Sequence, residues 1–358
     1  MGLPALTTDV LIAGAGIVGA AIAAALREAG AKCLVVEPEI VGGGATAAGM
    51  GHVVVMDDSP AQLALTEYSR RLWDALPLPR NVEREHRGTL WVAADAEEMA
   101  EVHRKHTLYP SSEVLDAQAL YVAEPELRPG LAGGLLVPGD SVLYAPCAAA
   151  WLLRLSPVRY TAIESLTPDG ARLADGTPVS AGLTILACGT GITRLLPHLP
   201  IKPRKGHLAI TDRYPGFLRH QLIELGYLKS AHGHSSESVA FNVQPRSTGQ
   251  LLIGSSRQYG DETSDVRPEL LSRMLHRAVE YMPRLVNLQV IRTWTGFRAA
   301  TPDSLPLIGP YSERVWVAAG HEGLGITTSL GTARLLADRY IGQPSAISPE
   351  PYLPERFV

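Results

Sequence analysis

The sequence predicts an α/β protein of two domains, each assembled from separate stretches of the chain. Alternating strand and helix patterns typical of parallel sheets occur at the start of the chain, around Leu183–Gly189 and again near the end. Between them lie two stretches of short strand-like runs that look antiparallel, mixed with helices. The expected boundaries are therefore 1–80, 141–202 and 290–358 for an α/β domain, and 81–140 and 203–289 for an α+β domain.

The first unit of the chain is the strongest indicator of function. An apolar strand, Asp9–Ala13, leads into Gly14-Ala15-Gly16-Ile17-Val18-Gly19 and a helix that ends near Gly30. A second strand, Cys33–Val36, ends on Glu37. Glycines in this arrangement permit a tight turn, a close approach of the backbone to a pyrophosphate and close packing of helix on strand, while the acid accepts hydrogen bonds from a ribose. The unit is therefore a Rossmann-like dinucleotide site, although a lone glycine motif could also be a turn in another βαβ unit.

The elements that follow are assigned from their periodicity. Residues 42–52 are rich in small side chains and predict a loop that lets backbone approach a large flat ligand. The segment Gln62–Leu76 predicts an amphipathic helix, whose expected inward positions are Leu63, Leu65, Tyr68, Leu72 and Leu76. The remaining expected strands are Thr89–Val92, His207–Thr211, Ser238–Val243, Leu251–Ser256, Val290–Thr293 and Val315–Ala319, and the remaining expected helices are Ala96–His106, Asp116–Val122, Leu270–Tyr281 and one from about Thr328 to Tyr340.

Composition excludes several classes of function. The chain has 358 residues and a formal net charge of −4, which gives no basis for expecting a nucleic-acid partner. Its three cysteines are far apart, so they form no iron–sulfur ligand set and suit a reducing cytosol. The uncharged run Val10–Leu26 is broken by glycines and follows Asp9, so no transmembrane segment is expected. His232-Gly233-His234 lacks further ligands at suitable spacing, which favours a loop over a metal site.

Three motifs together make the whole chain resemble the FAD-dependent amino-acid oxidoreductases of the D-amino-acid oxidase, glycine oxidase and sarcosine oxidase type. They are the glycine turn with Glu37 and the loop at residues 47–50, the run Trp294–Gly309, and Ala319-Gly320-His321 with Gly325-Ile326. The segments 203–208 and 241–246 look most like the D-hydroxyproline and opine dehydrogenase flavoprotein subunits. The resemblance implies a Rossmann-like FAD-binding domain of the glutathione-reductase type and a substrate domain with an antiparallel sheet.

The same resemblance implies the substrate residues. Arg298 is expected to bind the α-carboxylate, because a planar guanidinium offers a carboxylate two parallel hydrogen bonds. The alternative for Arg298 is a surface pair with Asp303. Met50 and His52 are expected beside the flavin, and His52 could equally be a pocket wall, a hydrogen-bond donor, a partner of a carboxylate or a structural histidine. Asn242 stands where glycine oxidase has a substrate-facing tyrosine, and Tyr227 could supply the missing aromatic wall or belong to the core.

The implied FAD-binding residues extend over the whole first domain. The backbone of residues 323–326 and the start of the last helix would stabilise negative charge on the flavin, and the backbone of Ile163 would hold the adenine. The full expected set is Gly14, Ala15, Gly16, Ile17, Val18, Gly19, Glu37, Pro38, Gly44, Ala45, Thr46, Ala48, Gly49, Met50, Ile163, Cys188, Gly189, Arg298, His321, Gly323, Leu324, Gly325, Ile326 and Thr327.

The resemblance implies oxidation of the C–N bond of a D-amino or cyclic imino acid, by hydride transfer from Cα to flavin N5, with a D-hydroxyproline dehydrogenase as the sharpest form. The alternatives are a glycine or sarcosine oxidase that uses O2, and a subunit that passes electrons to an iron–sulfur or other redox partner within a complex. A non-catalytic FAD-binding scaffold is also open. We expect a cytoplasmic protein, either free or peripheral to the membrane.

Overall fold

The computed structural model describes residues 4–226 and 237–357, which divide into two compact units. Unit 1 comprises residues 1–82, 143–203 and 297–358, and unit 2 comprises residues 83–142 and 204–296. The sequence prediction placed residues 290–296 in the first domain. They belong to unit 2, because the strand Val290–Ala300 pairs there with the strand Lys202–Arg213.

Unit 1 is built on a mainly parallel sheet. Within the described chain, its strands are β1 (Leu6–Ala13), β2 (Cys33–Val36), β3 (His52–Val53), β9 (Val158–Arg159), β10 (Ile163–Thr167), β11 (Gly170–Leu173), β12 (Pro178–Leu186), β18 (Leu307–Pro310) and β19 (Val315–Ala319), and its helices are α1 (Ile17–Glu28), α2 (Gly44–Ala48), α3 (Pro60–Ala75), α6 (Ala145–Leu153) and α8 (Gly325–Tyr340). Strands β9, β2, β1, β12 and β19 lie side by side and parallel in that order. The hairpin β10–β11 joins the other half of β12 antiparallel.

Both faces of the parallel sheet are covered. Val10 and Ile12 of β1 pack into a core with α1, α6 and α8, whereas Leu11 and Ala13 pack on the opposite face with β11 and the segment after β12. Burial on both faces is why these strands read as continuous apolar runs rather than alternating ones. In the parallel pair of β1 and β12, Ala13 lies opposite Leu186, so the carboxyl ends of the two strands are adjacent. This edge is where ligands bind in such sheets.

Unit 2 is built on a mainly antiparallel sheet. Its described strands are β4 (Arg84–Glu85), β5 (Thr89–Ala93), β6 (Glu113–Asp116), β7 (Gly133–Val137), β8 (Ser141–Leu143, at the boundary of the units), β13 (Lys202–Arg213), β14 (Gln221–Glu224), β15 (Glu237–Pro245), β16 (Gln250–Gln258) and β17 (Val290–Ala300), and its helices are α4 (Ala96–Leu108), α5 (Ala117–Ala123) and α7 (Pro268–Tyr281). The sheet order is β17-β13-β16-β15-β14-β5-β7-β6, and β14 and β5 are parallel neighbours. Helix α7 packs on one face, against Phe241, Val243 and Ile253.

Three local predictions need correction. The small-residue segment is not entirely a loop, because Gly44–Ala48 folds into the short helix α2. The apolar positions predicted for α3 describe its buried face poorly, since Leu65 and Trp73 are buried with three polar residues while Leu63, Tyr68 and Leu72 are half-buried. β17 continues well past Thr293, because its partner β13 is also long. In the described residues no helix combines the length and apolarity needed to span a membrane.

Candidate cofactor and substrate site

The glycine turn after β1 is closed by contacts that leave no room for a side chain. Gly14 has a φ of +104°, and a Cβ there would lie 2.6 Å from the carbonyl oxygen of Ala187. A Cβ on Gly19 would lie 2.0 Å from the carbonyl oxygen of Gly14. Helix α1 therefore begins directly against the carboxyl ends of β1 and β12, which aims its positive end into the space above the sheet.

At the N-terminus of α1, one backbone N–H is hydrogen-bonded to a side chain, and others are in the first turn, where the helix offers no acceptor. Its N-cap is Gly16, which has no capping side chain, while the N–H of Ile17 donates to Oγ1 of Thr46 at 3.0 Å. The N–H groups of Val18 and Gly19 also belong to the first turn, where a helix has no acceptor of its own to offer. Two backbone donors at a positive helix end are what a phosphate requires.

Glu37 lies at the end of β2 and closes the turn from the other side. Its Oε2 accepts the N–H of Ala15 at 2.9 Å and its Oε1 accepts the N–H of Glu39 at 3.0 Å. The N–H of Glu37 donates to the carbonyl of Arg159 at 3.0 Å, which places β9 and the start of β10 at Ile163 on the same side. Each carboxylate oxygen can accept a second hydrogen bond, so this acid still has capacity for a ribose hydroxyl.

Helix α2 places the small residues of the second motif against this turn. A Cβ on Gly16 would lie 3.1 Å from Oγ1 of Thr46, so the two segments are in close contact. Thr46 is buried, Gly44, Ala45 and Pro38 are exposed, and Ala48 is half-buried. At the end of α2, a Cβ on Gly49 would lie 3.2 Å from Cδ1 of Ile326, and Met50 is buried.

The first turn of α8 is fixed from several directions. Nε1 of Trp73 donates to the carbonyls of Ile326 and Thr327, at 3.1 Å each. The hydroxyl of Thr327 donates to the carbonyl of His52 at 2.9 Å and accepts the N–H of Val54 at 3.2 Å. The N-cap Leu324 makes no side-chain capping hydrogen bond. A Cβ on Gly325 would lie 4.0 Å from Cγ2 of Val18, so the starts of α1 and α8 converge.

Two titratable groups at this end of the sheet are held neutral. Burial lowers the pKa of His321 to about 4, and its Nε2 is 3.0 Å from Oγ1 of Thr332. Desolvation raises the pKa of the Cys188 thiol to about 12, and the Glu37 carboxylate adds to that rise. His321 is therefore uncharged near neutral pH, so the positive ends of α1 and α8 act here without an imidazolium beside them.

Arg298 lies at the end of β17, within unit 1. A Cβ on Gly323 would lie 3.7 Å from its Nε, so the arginine runs alongside the turn that precedes α8. Asp303, the alternative partner considered from the sequence, receives two hydrogen bonds from Arg356, at 2.7 Å from Nε and 3.3 Å from Nη2. Unit 1 thus brings together Arg298, the residues 323–327, Met50, Gly49 and the glycine turn.

These residues fit FAD. The space that glycine leaves at positions 14, 16 and 19, the donors at the start of α1 and the acid at Glu37 match the pyrophosphate and ribose of its ADP half. Gly189 follows Cys188 at the start of a short 3-10 helix, with a φ of +56°. We call Gly14, Gly16 and Gly19 with the start of α1 the glycine cradle. The start of α8 lies close to it, and its backbone donors would be available to the flavin half of a bound FAD.

Unit 2 contains Asn242, which is buried on β15 and whose Oδ1 has no hydrogen-bond partner among the described protein atoms. Tyr227 and His232-Gly233-His234 lie outside the described residues. Across the ranges 4–226 and 237–357, no group of three or more His, Cys, Asp and Glu side chains is arranged to hold a metal ion.

Sequence reasoning missed the supports of this site. Trp73 and Ser69 on α3 both donate to the carbonyl of Thr327, the serine at 2.5 Å. The serine also accepts the N–H of Gly331 at 2.9 Å. The available signal was their spacing of four residues on one helical face, which indicates a shared neighbour but does not identify it.

The family model described as FAD dependent oxidoreductase (DAO) matches residues 9–339. Glycine oxidase from Pseudomonas aeruginosa is 28% identical over 375 aligned positions, which cover 96% of this chain and 98% of that protein. The crystal structure of glycine oxidase from Geobacillus kaustophilus superposes with a TM-score of 0.86 at 25% identity and covers 97% of this chain and 98% of its own. L-proline dehydrogenase from P. horikoshii gives a TM-score of 0.88 at 21% identity, covering 99% and 98%, which shows the fold alone.

The family model spans nearly the whole chain, and the cradle that its cofactor needs is present in the structure. The chain therefore belongs to the DAO family of FAD-dependent oxidoreductases, and FAD is its cofactor.

Proposed function

We propose that this enzyme oxidises the C–N bond of a D-amino or cyclic imino acid, and that it is a dehydrogenase of the D-hydroxyproline type. The observation that carries the proposal is Arg298, a guanidinium beside the turn that precedes α8. The relatives support oxidation of an amino acid, because the protein that is 28% identical over nearly the whole chain is named glycine oxidase.

The residues have distinct proposed tasks. Arg298 binds the α-carboxylate in a bidentate manner and so fixes the position of Cα. When bound, FAD supplies the acceptor for the hydride that leaves Cα. The N–H groups at the start of α8 stabilise negative charge at the far end of the cofactor. His321 stays neutral near neutral pH, because its pKa is about 4, and it holds α8 through Thr332 rather than titrating.

Substrate-dependent bleaching of the flavin tests this function. FAD-loaded protein is mixed anaerobically with D-, L- and N-methyl amino acids and D-hydroxyproline. Arg298→Leu is expected to lower kcat/KM by roughly 100-fold, because two charge-assisted hydrogen bonds to the carboxylate are lost, and Arg298→Lys to recover part of it. Arg292→Leu, an exposed arginine on the same strand, is the matched control. Equal bleaching by Arg298→Leu and the parent at low substrate concentration would remove Arg298 from this role.

A glycine-type oxidase that uses O2 is the second candidate, favoured by the names of the relatives with the highest coverage. Parallel measurements of O2 consumption and of dye reduction with each active substrate separate the two. Turnover with O2 as fast as with the dye identifies an oxidase. A third arrangement, in which the chain passes electrons to an iron–sulfur or other redox subunit, predicts that a redox partner co-purifies from its native source.

A further inference from the structure

Two side chains of helix α3 are hydrogen-bonded to the backbone of α8. Nε1 of Trp73 donates to the carbonyls of Ile326 and Thr327, at 3.1 Å each. The hydroxyl of Ser69 donates to the carbonyl of Thr327 at 2.5 Å and accepts the N–H of Gly331 at 2.9 Å. In an α-helix the N–H of residue 331 is the ordinary donor to the carbonyl of residue 327. Ser69 therefore bridges two groups that the helix would otherwise pair directly.

The two helices can approach this closely because α8 has a glycine at the contact. A Cβ on Gly331 would lie 3.0 Å from Cδ1 of Leu65 and 3.2 Å from Cβ of Ser69. Ser69 and Trp73 have no exposed surface, so a molecule bound in open space cannot touch either of them. Any effect of these two side chains on a bound cofactor therefore passes through the protein, and α8 is the element to which both are hydrogen-bonded.

The carbonyls of Ile326 and Thr327 are in the first turn of α8, which begins at Gly325. The peptide plane that contains the Ile326 carbonyl also contains the N–H of Thr327, one of the first-turn donors for which a helix has no acceptor of its own. A hydrogen bond to a peptide carbonyl polarises the N–H of the same peptide and strengthens it as a donor. Trp73 therefore fixes the direction of this turn and increases the positive charge at its N–H groups.

The charge at this helix end matters for a flavin. The starts of α1 and α8 converge, since a Cβ on Gly325 would lie 4.0 Å from Cγ2 of Val18. Oxidised flavin is neutral, and it takes on a negative charge when it accepts a hydride. A positive helix end beside the ring stabilises the charged, reduced state more than the neutral, oxidised state. Such a helix end therefore raises the reduction potential of the cofactor.

We propose that Ser69 and Trp73 are positioning residues for FAD: by holding the first turn of α8, they raise the reduction potential of the bound flavin. The hydride carries two electrons and one proton from Cα to the flavin and leaves the substrate as an imine, and the two side chains exchange neither atoms nor electrons. The proposal rests on one part of the proposed function, the placement of the flavin at the start of α8. It does not depend on which amino or imino acid is oxidised.

Equilibrium reduction of the FAD-loaded protein against a dye of known potential, at neutral pH, tests the proposal. Ser69→Ala removes the bridging hydroxyl, and Trp73→Phe removes the indole N–H but keeps an aromatic ring. Each is expected to lower the ratio of reduced to oxidised flavin at a fixed potential by roughly tenfold, less than the ~100-fold or more that follows complete loss of a donor. A tenfold change corresponds to about 30 mV for a two-electron couple.

Two further variants of the same pair sharpen the measurement. Ser69→Cys keeps a weaker donor of similar shape, and its reduction potential should lie between those of the parent and Ser69→Ala. The double variant Ser69→Ala with Trp73→Phe should shift the potential by less than the sum of the two single shifts, because both side chains donate to the Thr327 carbonyl. Ser69→Cys also provides the measurement if Ser69→Ala does not retain FAD.

Tyr352→Phe is the matched control. The hydroxyl of Tyr352 donates to the carbonyl of Ala61 in α3 at 2.6 Å, and the side chain is 1% exposed. Tyr352→Phe therefore removes a buried hydrogen bond to α3 that does not involve α8. We expect it to lower the urea midpoint of unfolding and to leave the reduction potential unchanged. An equal fall of the potential in Tyr352→Phe and Ser69→Ala would show a general loss of stability and would overturn the proposal.

Gly325→Asp tests the placement of the flavin separately. Gly325 has a φ of −57°, which any residue can adopt, and a Cβ there would lie 3.4 Å from its nearest neighbour, Cβ of His321. A carboxylate at this helix end should lower the potential of an adjacent flavin by roughly tenfold or more in the same ratio. An unchanged potential in Gly325→Asp would contradict the placement itself. A lowered potential there, with parent-like values in Ser69→Ala and Trp73→Phe, would overturn only the roles of Ser69 and Trp73.

Discussion

Thr46 and Thr327, two buried side chains of unit 1, are hydrogen-bonded to backbone groups of that unit, whereas Thr89 and Gln221, two buried side chains on the sheet of unit 2, have polar atoms without a hydrogen-bond partner among the described protein atoms. Thr46 holds the N–H of Ile17, and Thr327 holds His52 and Val54. Gln221 and Thr89, equally buried, have no such bonds among the described protein atoms. At the start of α1, a side chain therefore holds one backbone group and leaves other backbone donors for the cofactor, whereas at Gln221 the side chain itself keeps its hydrogen-bonding capacity.

The largest effect should come from filling the glycine cradle. Gly19→Ala places a Cβ 2.0 Å from the Gly14 carbonyl, which forces α1 away from β1. We expect a loss of more than about 3 kcal/mol in stability and protein purified without visible flavin absorbance. Gly191→Ala, whose Cβ would meet only Cys188 Cβ at 4.0 Å, is the control. Normal FAD content in Gly19→Ala would show that the cradle can relax.

Removing the hydroxyl of Thr327 tests how much its two hydrogen bonds to the backbone contribute to stability. Thr327→Val keeps the shape but leaves the Val54 N–H and the His52 carbonyl without this partner. The expected cost is about 3 kcal/mol in urea unfolding, because two backbone groups lose a buried hydrogen bond. Thr327→Ser retains the hydroxyl and should lose less than half of that. An unchanged free energy of unfolding in Thr327→Val would remove the contrast between Thr327 and Gln221.

His321 gives unit 1 a specific pH dependence. Its pKa falls from 6.5 when exposed to about 4 in the folded protein, because burial disfavours the charged form. The unfolded chain therefore binds more protons between these values, so this contribution is complete above the unfolded pKa and is lost as pH falls towards the folded pKa. At equal FAD content, His321→Gln should weaken the loss of stability between about pH 7 and about pH 5 by about 2 kcal/mol. His276→Gln, which is exposed, should leave the pH slope of the parent unchanged; the same slope in His321→Gln would contradict the prediction.

The smallest effect should have the opposite sign and belongs to unit 2. Gln221→Met replaces an unpartnered buried amide with an apolar chain of similar length, and should raise the free energy of unfolding by about 1 kcal/mol in the absence of substrate. Urea titration of the parent, Gln221→Met and Gln289→Met, a change at an exposed glutamine of the same unit, measures it. A destabilised Gln221→Met would mean that the amide is satisfied, and the contrast between Gln221 and Thr327 would disappear.

The features that could be predicted from the sequence alone are those built from neighbouring residues. The glycine turn, α1, β2 and Glu37 are adjacent in the chain, so spacing and residue type sufficed to predict the Rossmann-like element and its dinucleotide site. The apolar runs of β12 and β19 likewise predicted strands that are buried on both faces. The FAD cofactor and the family followed from three motifs in order, and the comparisons confirmed both.

Which distant residues meet depends on tertiary packing, which the local sequence pattern does not encode. Trp73 and Ser69 contact Thr327 across more than two hundred and fifty residues, and nothing in the local pattern of α3 encodes that partner. Thr89, Gln221 and Asn242 lie on β5, β14 and β15, and they share one face of the sheet only because of strand register. A glycine turn can be predicted from consecutive residues because its backbone geometry is local. A shared face of side chains forms only when strands that are distant in the sequence pair in a particular register.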